Sequence, residues 1–134
     1  MSRGLSNCNP GNIRRSASRY RGEVRPSRDA AFKQFESLEW GYRAIFVTLR
    51  TYRQKYGLRT IREMISRWAP PTENHTEAYI RAVSDRTGFA PDEVLDIRQK
   101  GQMIPLVAAI SEVENGTKAD FQAIERGWEL YVDG

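Results

Sequence analysis

The sequence predicts a mainly α-helical fold, of the α+β kind, with one small β element near the N-terminus. Three observations predict it. From Ser37 onward, apolar residues recur at steps of three and four, the period of helices that bury one face. Alternation of apolar and polar residues is confined to 31–36, Ala-Phe-Lys-Gln-Phe-Glu, the pattern of a short half-buried strand. Helix stops punctuate the remainder at Gly57, Pro70-Pro71 and Gly88.

Each element has its own signal. Residues 1–29 are rich in Arg, Ser, Asn and Gly and read as loops with a ribbon, Tyr20 being the candidate partner strand and Arg21-Gly22-Glu23 lying near a turn. Leu38, Tyr42, Ile45, Leu49, Tyr52 and Tyr56 form one continuous helical stripe, and Gly57 follows as its stop. Thr60-Ile61-Arg62-Glu63 matches a capping box and opens a shorter helix through Trp68, ended by Ala69-Pro70-Pro71. Asn74-His75-Thr76-Glu77 supplies cap residues for a helix carrying Tyr79, Ile80 and Val83. Pro91 suits the first turn of a short helix over 91–97. A helix over 102–115 follows, with Pro105 tolerable only in its first turn, and a last helix over 119–131 carries Phe121, Ile124, Trp128 and Tyr131.

Length and composition bound the function. A chain of 134 residues with 40% apolar content fits a single domain over 1–134. Its apolar runs are only a few residues long, so no membrane span is expected. The N-terminal Met-Ser-Arg-Gly-Leu-Ser carries no apolar h-region, so synthesis in the cytoplasm without a signal peptide is expected. Cys8 is the only cysteine and His75 the only histidine, which argues against an intrachain disulfide, a metal cluster and a Ser-His-Asp triad; no metal or cofactor is expected. The net charge is +4, yet residues 1–35 alone hold eight Lys/Arg against Glu23 and Asp29, a local +6. Such a basic front half suits a soluble Arg-rich surface, an anionic cell wall or nucleic acid.

Two segments at opposite ends look like halves of one site: Asn7-Cys8-Asn9-Pro10-Gly11-Asn12-Ile13-Arg14, and Ala108 to Gly116 ending Glu112-Val113-Glu114-Asn115-Gly116. At about 100° per residue, Met103, Val107 and Ile110 share one face of the second segment's helix, and Glu114, four residues after Ile110, projects from it. Glu112 lies opposite. A carboxyl among apolar neighbours is the kind that keeps a proton for a departing glycosidic oxygen, so Glu114 is the candidate general acid. The plain alternative is a surface glutamate at a fraying helix end, opposed by the helix dipole.

The chain resembles phage- and prophage-encoded virion proteins with a lysozyme-like, transglycosylase-type domain. The matching residues are Gly4, Asn7 to Arg14, Tyr20-x-Gly22, Phe32-x-x-Phe35-x-Ser37-x-Glu39-x-Gly41-x-Arg43-Ala44, Leu49-x-x-Tyr52, Thr60-Ile61, Trp68-Ala69-Pro70-Pro71-x-Glu73-Asn74-x-Thr76-x-x-Tyr79-Ile80-x-x-Val83, and Glu114-Asn115-Gly116. The first half is also similar to bacterial glucosaminidases. Lysozyme-like transglycosylases place the Glu helix first and the Asn turn later, whereas here the order is reversed. The resemblance therefore implies a circularly permuted lysozyme fold that acts on peptidoglycan glycan strands, alone or beside other virion proteins, reaching the wall from a virion. Cys8 departs from the pattern, which more often carries Asn there.

The resemblance implies that Asn7, Asn9 and Asn12 lie near the sugar cleft. Trp68 is a candidate for stacking on a sugar ring or for the core. Glu73 and Asn74 are candidates for binding N-acetyl groups, or for helix capping. A second carboxylate would make the reaction an inverting hydrolysis if it stood about 6.5–9.5 Å from the acid. Glu23, Glu36, Glu39 and Glu73 are candidates; Glu39 also suits the first turn of its helix as a dipole partner. Without one, a single Glu acts as acid and then base, and the sugar's own hydroxyl attacks. Three functions compete: glycan cleavage, a non-catalytic virion or wall-binding shell, and nucleic-acid binding. The last ranks behind the other two, because Ala69–Asn74 is longer than the 3–4-residue turn of a helix-turn-helix motif.

Overall fold

A computed structural model describes residues 1–71 and 75–134. Its elements, in chain order, are α1 (Arg3–Ser6), β1 (Glu23–Val24), β2 (Gln34–Phe35), α2 (Leu38–Tyr56), α3 (Ile61–Trp68), α4 (Thr76–Thr87), α5 (Lys100–Asn115) and α6 (Phe121–Asp133). The chain is mainly helical with one small antiparallel sheet, as the periodicity predicts.

The long helix begins where its cap says it should. The Ser37 hydroxyl accepts from the Trp40 N–H, and Gly57 closes α2 in the left-handed region at φ 67°. Thr60 caps α3 by accepting from the Glu63 N–H at 3.1 Å. The Glu63 carboxylate reaches the Arg59 N–H at 2.8 Å, one residue short of the reciprocal bond of a full capping box.

Helix α5 is the axis of the core. Every residue from Met103 to Ser111 except Pro105 is buried, so α5 is enclosed rather than one-faced. It packs on α4, α6, α2 and α1. Tyr42 and Ser111 share a buried hydrogen bond of 2.9 Å between α2 and α5. The most extensive packing is α2 on α6. It requires Gly127, where a Cβ would lie 2.9 Å from Tyr42 Cβ and 3.0 Å from the Glu39 carbonyl oxygen. Phe46 meets Trp128 edge-on at 5.2 Å and stacks on Tyr131 at 5.6 Å. Each fully buried side chain of this core contributes about 1.5–3 kcal/mol on leaving water.

Several expectations need correction. Residues 91–97 form no helix. Asp92 pairs with Arg62 at 3.0 Å, Pro91 accepts the Arg62 N–H and Leu95 donates to the Arg59 carbonyl, so the segment runs as a strap that buries Leu95. Helix α5 starts at Lys100, so Pro105 stands in its second turn and leaves the Gly101 carbonyl without its helical donor. Phe121 opens α6 but is 52% exposed, because the buried stripe runs through Ala123, Ile124, Gly127 and Trp128.

The β element is also rearranged. Glu23 pairs with Phe35 and Val24 with Gln34, while Phe32 bridges Arg14. Tyr20 is not in a strand; its ring meets Phe35 edge-on and its hydroxyl bonds Thr48 at 2.8 Å. Lys33, despite its charge, is only 1% exposed. Its ammonium donates to both Glu23 oxygens, at 3.1 and 3.2 Å, and to the Ser18 carbonyl at 2.7 Å. Burial pushes the Glu23 carboxyl up, but hydrogen bonds from Arg25, the Tyr20 N–H and Lys33 outweigh it and hold the group below its ordinary range.

Candidate active site

Helix α5 ends on Glu114 and Asn115, with Gly116 as its left-handed stop at φ 69°. These last two side chains meet the opening loop of the chain. Glu114 Oε1 accepts from the Asn12 side-chain amide at 2.8 Å, and Oε2 accepts from the Tyr79 hydroxyl at 2.8 Å. Asn115 donates to the Pro10 carbonyl at 2.8 Å and accepts from the Ser2 hydroxyl at 2.6 Å. Two residues separated from the loop by about a hundred positions thus fix it from both sides.

The loop's sequence is suited to this docking. Cys8 and Asn12 both adopt left-handed backbone, at φ 52° and 49°, a region that Asn enters at less cost than most residues. Gly41 on α2 lets the loop lie against the helix: a Cβ there would sit 2.0 Å from the Cys8 carbonyl oxygen. Gly4 leaves room for the polar tips, since its Cβ would fall 2.6 Å from Asn115 Oδ1 and 2.7 Å from Asn12 Oδ1. Asn12 Oδ1 is buried with no hydrogen-bond partner.

Glu114 opens into a groove of about 350 Å³. The loop contributes Asn12 and Arg14, the hairpin Phe32, α2 Thr48 and Tyr52, and α3 Arg67 and Trp68. Tyr52 and Trp68 meet edge-on at 6.3 Å. Burial pushes the Tyr52 phenol up to about 12. Burial, and then the Glu114 carboxylate beside it, push the Tyr79 phenol far above its ordinary value, against a smaller opposite effect of Trp68. Both phenols stay protonated at physiological pH, so Tyr79 remains available as a donor to Glu114.

Of the residues expected in the cleft, the structure brings Glu114, Asn12 and Trp68 together. It does not bring Asn7 and Asn9 there. Asn9 is fully buried; its amide donates to the Ile13 and Lys33 carbonyls and its oxygen accepts the Ile13 N–H, so it staples the loop. Asn7 is 3% exposed and bonds Asp29 and Arg28. Arg3, the Ala31 N–H and Asn7 hold the Asp29 carboxyl well below its usual range.

Glu39 lies on the α6 side of α2, not in the groove. Glu23 is bound to Lys33 and Arg25, and Glu36 is exposed away from the groove. Glu73 and Asn74 lie outside the described residues. Among the described groove residues, Glu114 is therefore the only carboxylate. Its nearest partners are also not the apolar neighbours expected from the helix pattern, but two hydrogen-bond donors.

Sequence reasoning missed Tyr79, Tyr52, Phe32, Arg67 and Arg14 as site residues. Tyr79 carried a signal: a tyrosine in a buried stripe needs a partner for its hydroxyl. The Trp68-Ala69-Pro70…Thr76…Tyr79 pattern also acquires a physical reason. Thr76 donates to the Ala69 carbonyl, which fastens the start of α4 and so positions Tyr79 beside Trp68.

No family model matches the chain. Comparison with known proteins nevertheless places it in a class, that of phage-encoded proteins. It is 36% identical over 132 residues to "Protein P5" of Pseudoalteromonas phage PM2, across 95% of this chain and 80% of the phage protein. The chain belongs to the family of that protein. No helix among the described residues is long and apolar enough to cross a membrane.

Proposed function

We propose that this phage-family protein cleaves the glycan strands of peptidoglycan as a lytic transglycosylase, with a permuted lysozyme-like arrangement and Glu114 as both acid and base. The observation that carries the reading is the meeting of the Glu114 carboxyl with Asn12 at 2.8 Å in an aromatic-lined groove. Protonated Glu114 gives its proton to the glycosidic oxygen as the C–O bond breaks. The same carboxylate then takes the proton of the sugar's own hydroxyl as that oxygen closes on the anomeric carbon. One carboxyl serves both halves, which suits a groove with a single described carboxylate.

The neighbours of Glu114 fit this double duty. An amide N–H can only donate, so Asn12 orients one carboxyl oxygen throughout. A hydroxyl can donate to a carboxylate or accept from a carboxylic acid, so Tyr79 is compatible with both protonation states. Trp68 and Tyr52 offer faces to sugar rings. The test is turbidity loss of purified sacculi, abolished by Glu114→Gln; sacculi left intact by the wild-type protein would refute the reading.

A second reading has its own support. Both oxygens of Glu114 and both ends of the Asn115 amide are hydrogen-bonded within the protein, as in a structural clasp. On that reading the protein is a non-catalytic virion component or wall-binding shell. Capture by sacculi without release of glycan fragments would favour it.

A further inference from the structure

We propose that Arg67 recognises a carboxylate carried by the substrate, so that the groove selects acidic over neutral glycans. The inference rests on the glycan reading above and deepens it. Several arginines of this chain are held by acids: Arg62 by Glu77 and Asp92, Arg98 by Asp96, Arg126 by Glu129, Arg3 by Asp29. Arg67 is not among them, and it is set apart by being stacked at the edge of the Glu114 groove. Its guanidinium lies over the Tyr56 ring at 3.7 Å and over the Tyr52 ring at 5.5 Å, and no hydrogen bond or ion pair engages it among the described residues.

Stacking consumes the face of a guanidinium and leaves its planar fork of N–H donors open, the geometry that matches a carboxylate with two parallel bonds. The rings also limit the freedom of an otherwise mobile side chain, which lowers the entropy lost when a ligand is bound. Arg67 borders the same groove as Glu114 and directly precedes Trp68 on α3. A sugar resting on Trp68 therefore brings its substituents within reach of Arg67. Arg67 itself brings a positive charge to the rim of that groove, where its guanidinium can meet an anion on a bound ligand. A groove made for neutral sugars would gain nothing from this unpaired charge.

The test uses the full chain with Glu114→Gln, which prevents turnover, and calorimetric titration at low salt. The probes are a muramic-acid-containing tetrasaccharide with free lactyl carboxylates, the same compound with those carboxyls reduced to alcohols, and tetra-N-acetylchitotetraose. The carboxylate form should bind about tenfold tighter than the reduced form, the scale of one charge-assisted hydrogen-bonded contact. Adding Arg67→Gln should erase that preference, the carboxylate and reduced forms then binding alike, and Arg67→Lys should restore part of it. Equal binding of acid and reduced forms, or a preference that survives Arg67→Gln, overturns the role of Arg67 but leaves the glycan reading standing. No binding of any of the three probes overturns both.

Discussion

Replacing Glu23 with leucine removes every side-chain acceptor facing the buried Lys33. The side chains of Glu23 and Lys33 are 4% and 1% exposed, and their charged atoms lie 3.1 Å apart. Taking one partner from a buried pair leaves an uncompensated charge and costs about 3–5 kcal/mol. Lys33 keeps the Ser18 carbonyl at 2.7 Å, which sets the expectation at the lower end, about 3 kcal/mol. For a chain of 134 residues, this lowers the Tm by about 10–15 °C. Thermal melts followed by circular dichroism at pH 7 measure it. Adding Lys33→Met to Glu23→Leu should recover at least half of the loss, because an apolar pair of similar volume carries no unpaired charge. A single variant that melts within about 2 °C of the wild type would refute the reading of Lys33–Glu23 as a stabilising buried ion pair.

Further outcomes follow from the same geometry. The Glu23 carboxyl lies below its ordinary value of 4.5 in the folded protein, so its contribution is fully present above that pH and is lost as the pH falls through the folded value. Acid melts should show a component of stability in that window that is absent from Glu23→Leu. Gly41→Ala forces a methyl group to 2.0 Å from the Cys8 carbonyl oxygen, so it should cost about 1–3 kcal/mol or more in urea unfolding and reduce activity by displacing the Asn12 loop. Tyr79→Phe keeps the ring but removes the donor to Glu114; sacculus cleavage should fall about tenfold to a hundredfold with little change in Tm.

Much of the helical frame is legible in the sequence because each signal is local. Ser37, Gly57, Thr60 and Gly88 act through backbone groups within a turn of themselves, so α2, α3 and the end of α4 fall close to where the pattern puts them. The helix-end carboxylate is legible for the same reason, since Ile110 and Glu114 are four apart on one helix. What escaped depends on distant partners. Leu95 is drawn from a local helix signal into a strap by Arg59 and Arg62. Lys33 enters the core only because Glu23 stands across the hairpin. Asn7 and Asn9 look like Asn12 in sequence, yet their amides serve the loop itself and only Asn12 faces the carboxyl. Arg67 gives no periodic signal, because its position is defined by two tyrosines on a different helix.

The central claim is that one carboxyl, Glu114, both breaks the glycosidic bond and activates the sugar's own hydroxyl. Digestion of sacculi in ¹⁸O-labelled water, followed by mass spectrometry of the released fragments, measures this directly. Soluble fragments should carry no solvent oxygen at the cleaved end, and none should be released by Glu114→Gln. Fragments labelled with ¹⁸O would establish hydrolysis and a second catalytic group, and undiminished release by Glu114→Gln would contradict the role of Glu114 itself.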